Sequence, residues 1–217
     1  MSAMEPAAGV LVTTIDFKKQ HKDLYRPPAG WPVLVDVPAM VFLMADGRGD
    51  PTKTPEFART VETLFGIAYS LKSTFKKAGT FPDFVVPPLE CLWWTDDSSS
   101  FSFRDLHSWR WTLMIRQPEH VEPVMVAEAR KQLMVKKKDR ALPDVRLEAC
   151  EEGPAVQALH VGAYCDEHRT IEKMHALMME NGWIARGKHH EIYLNDPRRT
   201  VPEKLKTILR QPISRNE

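Results

Sequence analysis

A chain of 217 residues with 43% hydrophobic and 27% charged side chains is long enough for a substantial core and has the make-up of a soluble globular protein. Lys and Arg total 30 against 29 Asp and Glu, so the formal charge is only +1, without the basic excess that wrapping nucleic acid demands; no direct nucleic-acid partner is expected. Cys91, Cys150 and Cys165 form no CxxC pair, the amino terminus lacks a basic start leading into a long apolar run, and "PVLVDVPAMVFLMA" is too short and interrupted to span a bilayer, so the expectation is a cytoplasmic protein without a membrane partner.

Residues 1–30 alternate charge without clear period and end in "YRPPAGWP", where prolines block helix and central strand; they read as an arm laid on the surface of a single domain spanning 31–217. "PVLVDVPAMVFLMADGRGDP", residues 32–51, is strand-rich with a kink at Pro38, and its glycines read as turn residues because no Lys-Ser/Thr completes a phosphate loop. Thr54, Pro55 and Glu56 then start a helix in which Phe57, Val61, Leu64, Phe65, Ala68, Leu71 and Phe75 recur at helical spacing up to Gly79. "DFVVPPLECLWWTDD" and "SWRWTLMIRQP" read as strands joined by the polar loop "TDDSSSFSFRD", and a second helix follows Pro118, with the basic run "VKKKDR" at its end.

From Val145 the order returns: strand "VRLEA", turn "EEGP", strand "AVQALHVGAY", a helix from about Glu167 to Asn181, strand "KHHEIYL", a short turn of helix at "TVPE", and "KTILRQPI". Two pseudo-repeats, about 31–140 and 141–217, are further marked by "IRQP" against "LRQP" and by "LEC" against "HEI", which sets Glu90 opposite Glu191. The predicted fold class is α+β: duplicated strand-helix-strand-strand modules forming an antiparallel sheet, with helices on one face. The other face is then left for solvent or a cleft. A pseudo-twofold axis would put Glu90 and Glu191 at equivalent places around a central groove.

The run "RGKHHEIYLNDPRR" concentrates the chemistry. Strand alternation puts His189, Glu191 and Tyr193 on one face and His190 and Ile192 on the other; Trp109 and Trp111 share a face of their strand, as do Glu90 and Trp94 of theirs. A carboxylate walled by indoles suits a flat, apolar or cationic guest. The same carboxyl, desolvated, suits acid-base chemistry. Rival readings of the residues alone are an ion pair of Glu191 with Arg198 or Arg199, tryptophans packed in a core rather than a groove, and Tyr164 tied to backbone. Zinc on His189 and Glu191 lacks a third ligand at recognisable spacing among His160, Cys165, His168 and His175, so neither metal nor cofactor is expected.

The run "GKHHEIYLNDPRRTVPEKLKTILRQPI", together with "HVGAY", "LECLWWTDD", "WRWTLMIRQP" and "HKDLY", resembles the GyrI-like small-molecule-binding family, and most closely its stand-alone branch, from about Phe17 to Ile213. That resemblance implies the duplicated fold with a groove between the halves. It also implies one of three activities: ligand sensing in multidrug-responsive regulators, modulation of gyrase, or hydrolysis of the cyclopropane of DNA-alkylating cyclopropanoid compounds. No residues remain for a helix-turn-helix module, and none speaks for a gyrase contact. The expectation is therefore a protein that binds bulky aromatic molecules and detoxifies cyclopropanoids as a hydrolase, with a non-catalytic multidrug-binding or gyrase-modulating protein as the alternative. Carried over, Glu191 is the base or water-orienting group and Tyr164 or Tyr193 the phenol donor. Trp93, Trp94, Trp109, Trp111, Glu90 and His189 complete the ligand site, and Cys91 stands where the family commonly has glycine.

Overall fold

Prolines and glycines set the boundaries. In the computed structural model, which describes residues 14–79, 81–96, 108–137 and 141–215, the arm forms two single turns, α1 (Phe17–Gln20) and α2 (Lys22–Tyr25). Pro38 separates β1 (Val33–Val37) from β2 (Met40–Arg48). The long helix α3 (Pro55–Ala78) begins on a proline, whose fixed φ suits a first turn, and ends at Gly79 with φ of 64°. There follow β3 (Leu89–Trp94), β4 (Arg110–Arg116), α4 (Pro123–Lys136), β5 (Arg146–Cys150) and β6 (Gly153–Val161). The chain closes with α5 (His168–Glu180), β7 (Trp183–Ala185), β8 (His189–Tyr193) and β9 (Lys206–Arg215), with short 3-10 turns at Tyr164–Asp166 and Pro202–Lys204. Most of the expected loop "TDDSSSFSFRD" and the end of "VKKKDR" lie outside the described residues.

All strands join one antiparallel sheet in the order β1-β6-β9-β8-β3-β4-β2-β5, with β7 on β9. The duplication is explicit: β2-α3-β3-β4 and β6-α5-β8-β9 have the same internal order, and the two modules meet where β3 pairs β8. Each module receives its edge strand from the other half of the sequence, since β1 pairs β6 and β5 pairs β2. The kinked run at Pro38 is thus two strands at distant places in the sheet.

Helices α3 and α4 cover one face over Leu43, Trp111, Leu113 and Ile115, and α5 covers the same face over Val156, Ala158 and Leu209. Gly47 is a strand residue directly opposite Trp111, not a turn residue; a Cβ there would collide with the indole, so the ring seats only because the side chain is missing. Gly49, with φ of 92°, does turn the chain.

The opposite face is not left to solvent. Phe17, Leu24 and Tyr25 of the arm are buried against Met44, Met114, Ile192 and Ile208, so the arm closes a second core instead of lying on the surface. Apolar anchors alone do not hold it. Beneath the arm, His190 lies between Glu90 (3.0 Å) and Glu152 (2.9 Å), and Arg210 joins Glu152 at 3.1 Å. Arg210 also donates to the Leu24 carbonyl at 3.0 Å, and the Tyr25 hydroxyl donates to Glu90 at 2.9 Å. Burial pushes the imidazole of His190 down, but the charges and hydrogen bonds of Glu152 and Glu90 outweigh it and raise its pKa to about 9. Burial likewise opposes ionisation of Glu152, yet His190 and Arg210 bring it to about 2. Buried charges persist when each has a hydrogen-bonded partner.

His190→Gln leaves the buried Glu90 without its cation and Glu152 with Arg210 alone, and is expected to cost about 3–5 kcal/mol in urea unfolding. His190 keeps its proton in the folded state up to about pH 9, against 6.5 as its ordinary value. Its contribution is therefore full below 6.5 and disappears as pH rises through about 9, so the stability difference between wild type and variant should shrink from pH 7 to pH 10. Gly47→Ala should destabilise by about 1–3 kcal/mol, because Trp111 is fully buried and has to shift.

Candidate functional site

Because β3 and β8 are antiparallel with Cys91 opposite Glu191 and Trp93 opposite His189, alternate residues of the two strands form one strip on the helix face: Leu89, Cys91, Trp93, His189, Glu191 and Tyr193. The helices pack over the outer strands of their modules, α3 on β2 and β4 and α5 on β6, so this strip runs beneath the space between them. Phe57 from the first turn of α3 stacks on Trp93 at 6.0 Å, and Tyr164, from the turn before α5, meets the Tyr193 ring edge-on at 5.9 Å.

The polar groups form a chain. Trp93 Nε1 donates to the Tyr193 hydroxyl at 3.2 Å, which donates to Glu191 Oε2 at 2.7 Å. On its other oxygen, Glu191 has His189 Nε2 at 3.6 Å. The carboxylate is only 7% exposed, while Tyr164, at 39%, is the most exposed ring of this group. Burial, followed by the Glu167 and Glu191 charges, pushes the Tyr164 phenol up to about 12, and burial with Glu191 puts Tyr193 well above its ordinary value. Both phenols therefore keep their protons near neutral pH, and Tyr193 donates its own to Glu191. Cys91 is fully buried, and burial with the Glu191 charge raises its thiol far above a reactive range.

Sequence reasoning does not single out Glu167. It is the residue capping α5 at its amino end, a place where an acid reads as ordinary helix chemistry. Yet it is 3% exposed, and its Oε1 has no hydrogen-bond partner among the described residues. Burial, then the Glu191 charge, pushes it up to about 10, so near neutral pH it is a carboxylic acid beside a second carboxyl. The run "YCDEH" gives no hint of this, because the signal is burial.

Of the residues expected at the site, Glu191, Tyr193, His189, Trp93 and Tyr164 come together. Trp109 is buried edge-on against Trp93 at 5.1 Å, and Trp111 is fully buried with its ring edge to Phe57 at 5.2 Å; both belong to the core behind Trp93. Glu90 and Trp94 face away. Since Glu90 lies opposite Ile192 and Cys91 opposite Glu191, Glu90 and Glu191 differ by one step of the strand alternation and point to opposite faces. The expected symmetry of the two glutamates is overturned on that ground: a twofold axis through the sheet keeps faces, so Glu90 is not the counterpart of Glu191, and the residue opposite Glu191 in the ladder is Cys91. Trp94, on the arm side, carries Lys188 Nζ over its ring at 3.3 Å. Arg198 and Arg199 both pair with Asp196, not with Glu191. Among the described residues no group of three His, Cys, Asp or Glu is placed to hold a metal. Nor does any described helix have the length and apolarity to cross a membrane.

A separate open depression of about 300 Å³ lies between α3 and α4, lined by Leu71, Phe75, Phe81, Val124 and Met125. It carries little polar chemistry and is remote from Glu191.

The sequence matches the GyrI-like small molecule binding domain over residues 32–214. Solved structures from Listeria innocua share the fold: an uncharacterized conserved protein, 41% identical with a TM-score of 0.87, and two structures of a hydrolase, 40% identical with TM-scores of 0.84 and 0.81. Each alignment covers 93% of this chain and 100% of the other. No curated protein matches the sequence. Matched over most of its length by the domain, and along the whole of these relatives by the fold, the chain belongs to the GyrI-like small molecule binding domain family.

Proposed function

We propose that the space over Trp93, Tyr193 and Tyr164 takes bulky aromatic small molecules and that the protein hydrolyses the cyclopropane of DNA-alkylating cyclopropanoid compounds. One observation carries this reading: the buried Glu191 carboxylate, held at 2.7 Å by Tyr193, shares a strip with aromatic rings on both sides and with a proton-holding phenol at the mouth. The hydrolase from Listeria innocua, 40% identical along its full length, supports an enzyme over a passive binder.

In the proposed reaction the dienone of the substrate stacks among the rings, and Glu191 takes a proton from water as the water oxygen bonds to the cyclopropane methylene. The ring carbon–carbon bond breaks, and its electron pair passes through the dienone to the carbonyl oxygen. There Tyr164 donates a hydrogen bond to the developing phenolate. As the product leaves, the proton held on Glu191 passes to the phenolate, so one water is added and nothing else consumed. Tyr193 fixes the carboxylate that receives the proton and is a positioning residue.

A duocarmycin-type cyclopropanoid incubated with a catalytic amount of protein should give ring-opened alcohol in molar excess over protein. Glu191→Gln should slow this roughly 100- to 10,000-fold, the usual worth of a positioned base. Tyr164→Phe should slow it roughly 100-fold with little change in KM. Stoichiometric binding without product would overturn hydrolysis and leave capture as the function.

A further inference from the structure

The arm that closes the second core is tied to the sheet by two basic side chains. Arg116, at the end of β4, is 6% exposed, and its guanidinium lies over the Phe17 ring at 4.1 Å. Its Nη2 stands 3.2 Å from Nε2 of His21, the residue joining α1 to α2. A guanidinium keeps its charge and has only N–H groups to offer, so His21 Nε2 is the acceptor of this bond, which requires a neutral imidazole. Among the described residues no carboxylate pairs with Arg116, and its Nη1 is buried without a hydrogen-bond partner. A proton on Nε2 removes the acceptor and sets two cations side by side at the edge of an apolar core. Burial and then the Arg116 charge hold the pKa of His21 below its ordinary 6.5, against Asp23 on α2 and Glu119 after β4, which raise it. Asp16, before α1, is paired with Lys19 at 3.4 Å, and Tyr25, bonded to Glu90, lies on the Arg116 side. His21 itself is only half-buried, so a proton reaches it without unfolding.

We propose that the arm is a pH-sensitive strap, fastened to β4 while His21 is neutral and released when His21 takes up a proton. A group that is neutral when the arm is closed and free to charge when it is open favours closure above 6.5 and loses that contribution as pH falls below it. With one proton taken up on release, the open population rises by up to about tenfold per pH unit until the lower pKa of the closed arm is reached. The charges beneath the arm do not share this response: His190 keeps its proton up to about 9 and Glu152 stays ionised down to about 2, so mild acid leaves their pairing intact. Release uncovers Met44, Met114, Ile192 and Ile208 and withdraws the Tyr25 hydroxyl from Glu90. Because Glu90 and His190 alternate with Cys91 and Glu191 along β3 and β8, the state of the arm bears on the strands that hold the strip, whatever the strip binds.

The test is amide hydrogen exchange of the full chain at pH 7.5 and pH 5.5, corrected for the intrinsic exchange rates. The strap is read through the amides of His21, Tyr25 and Arg26, which donate to the carbonyls of Phe17, His21 and Lys22, and the buried turns of α3 report global opening. Protection of the arm amides should fall by up to about tenfold between pH 6.5 and pH 5.5 while α3 keeps its own. His21→Gln retains an oxygen that accepts from Arg116 and does not titrate, so its arm should show the same protection at both pH values. Arg116→Met keeps an apolar contact with Phe17 but removes the second cation, and should likewise lose the pH dependence. Arm protection in the wild type that is unchanged by acid overturns the strap, as does a fall that α3 shares. A fall of equal size in His21→Gln overturns the assignment to His21.

Discussion

The antiparallel pairing of β3 with β8 is the constraint on which the rest depends. It is where the two modules' central strands touch, and its register, Cys91 opposite Glu191, decides what each face of the sheet carries. A shift by one residue would exchange the two faces, sending His190 and Glu90 toward the helices and Glu191 toward the arm. Neither arrangement would be tolerated. His190 would lose Glu152 and Arg210, which are fixed on the arm side by β6, β9 and the turn between β5 and β6, and Glu191 would be driven into the apolar contacts of Phe17 and Leu24. The electrostatics therefore enforce the register as firmly as the backbone hydrogen bonds do.

The two faces solve the cost of buried charge in opposite ways. On the arm side the buried acids have counter-ions: Glu90 meets His190, Glu152 is held by His190 and Arg210, and Arg210 is further bonded to Gln157 and to the Leu24 carbonyl. This face is closed and structural, and tying backbone of the arm into it makes the arm part of the fold. On the helix side the acids outnumber their bonded cations, and the deficit is met by protonation and phenol donors. The face proposed as functional differs from the other in how its charge is balanced.

The sequence made much of this legible. Periodicity located α3, α4 and α5 and the central strands, and alternation in "HHEIY" separated His189, Glu191 and Tyr193 from His190 and Ile192. Where local pattern carried no information, expectations failed. The match of "LEC" to "HEI" aligned letters but not the parity of the pleat, so Glu90 was set in the wrong face. The exchange of β1 and β5 between modules is a matter of distant pairing, and no feature of "PVLVDV" states which strand it will join. The arm looked superficial because its prolines broke regular structure, yet irregular backbone still buries Leu24 and Tyr25 once side chains and carbonyls find partners. Glu167 was invisible because a helix-capping acid is normally solvated, and only the neighbouring turn and sheet bury it.

The duplication also explains an asymmetry of function. The residue of the first module opposite Glu191 is Cys91, and the residue at the N-cap position of α3, where α5 has Glu167, is Thr54. The first module thus contributes no carboxyl to the strip. What it contributes is surface: Trp93 and Phe57, backed by Trp109 and Trp111, whose seat depends on Gly47. The second module supplies both acids and both phenols. In a symmetric ancestor each half would bear the same partial site, with four carboxyls or none facing one guest. On the proposed reading, one half supplies stacking surface for a flat ring and the other the carboxyl and phenol groups that address its polar end. This division also halves the number of buried acids that the central strands have to accommodate.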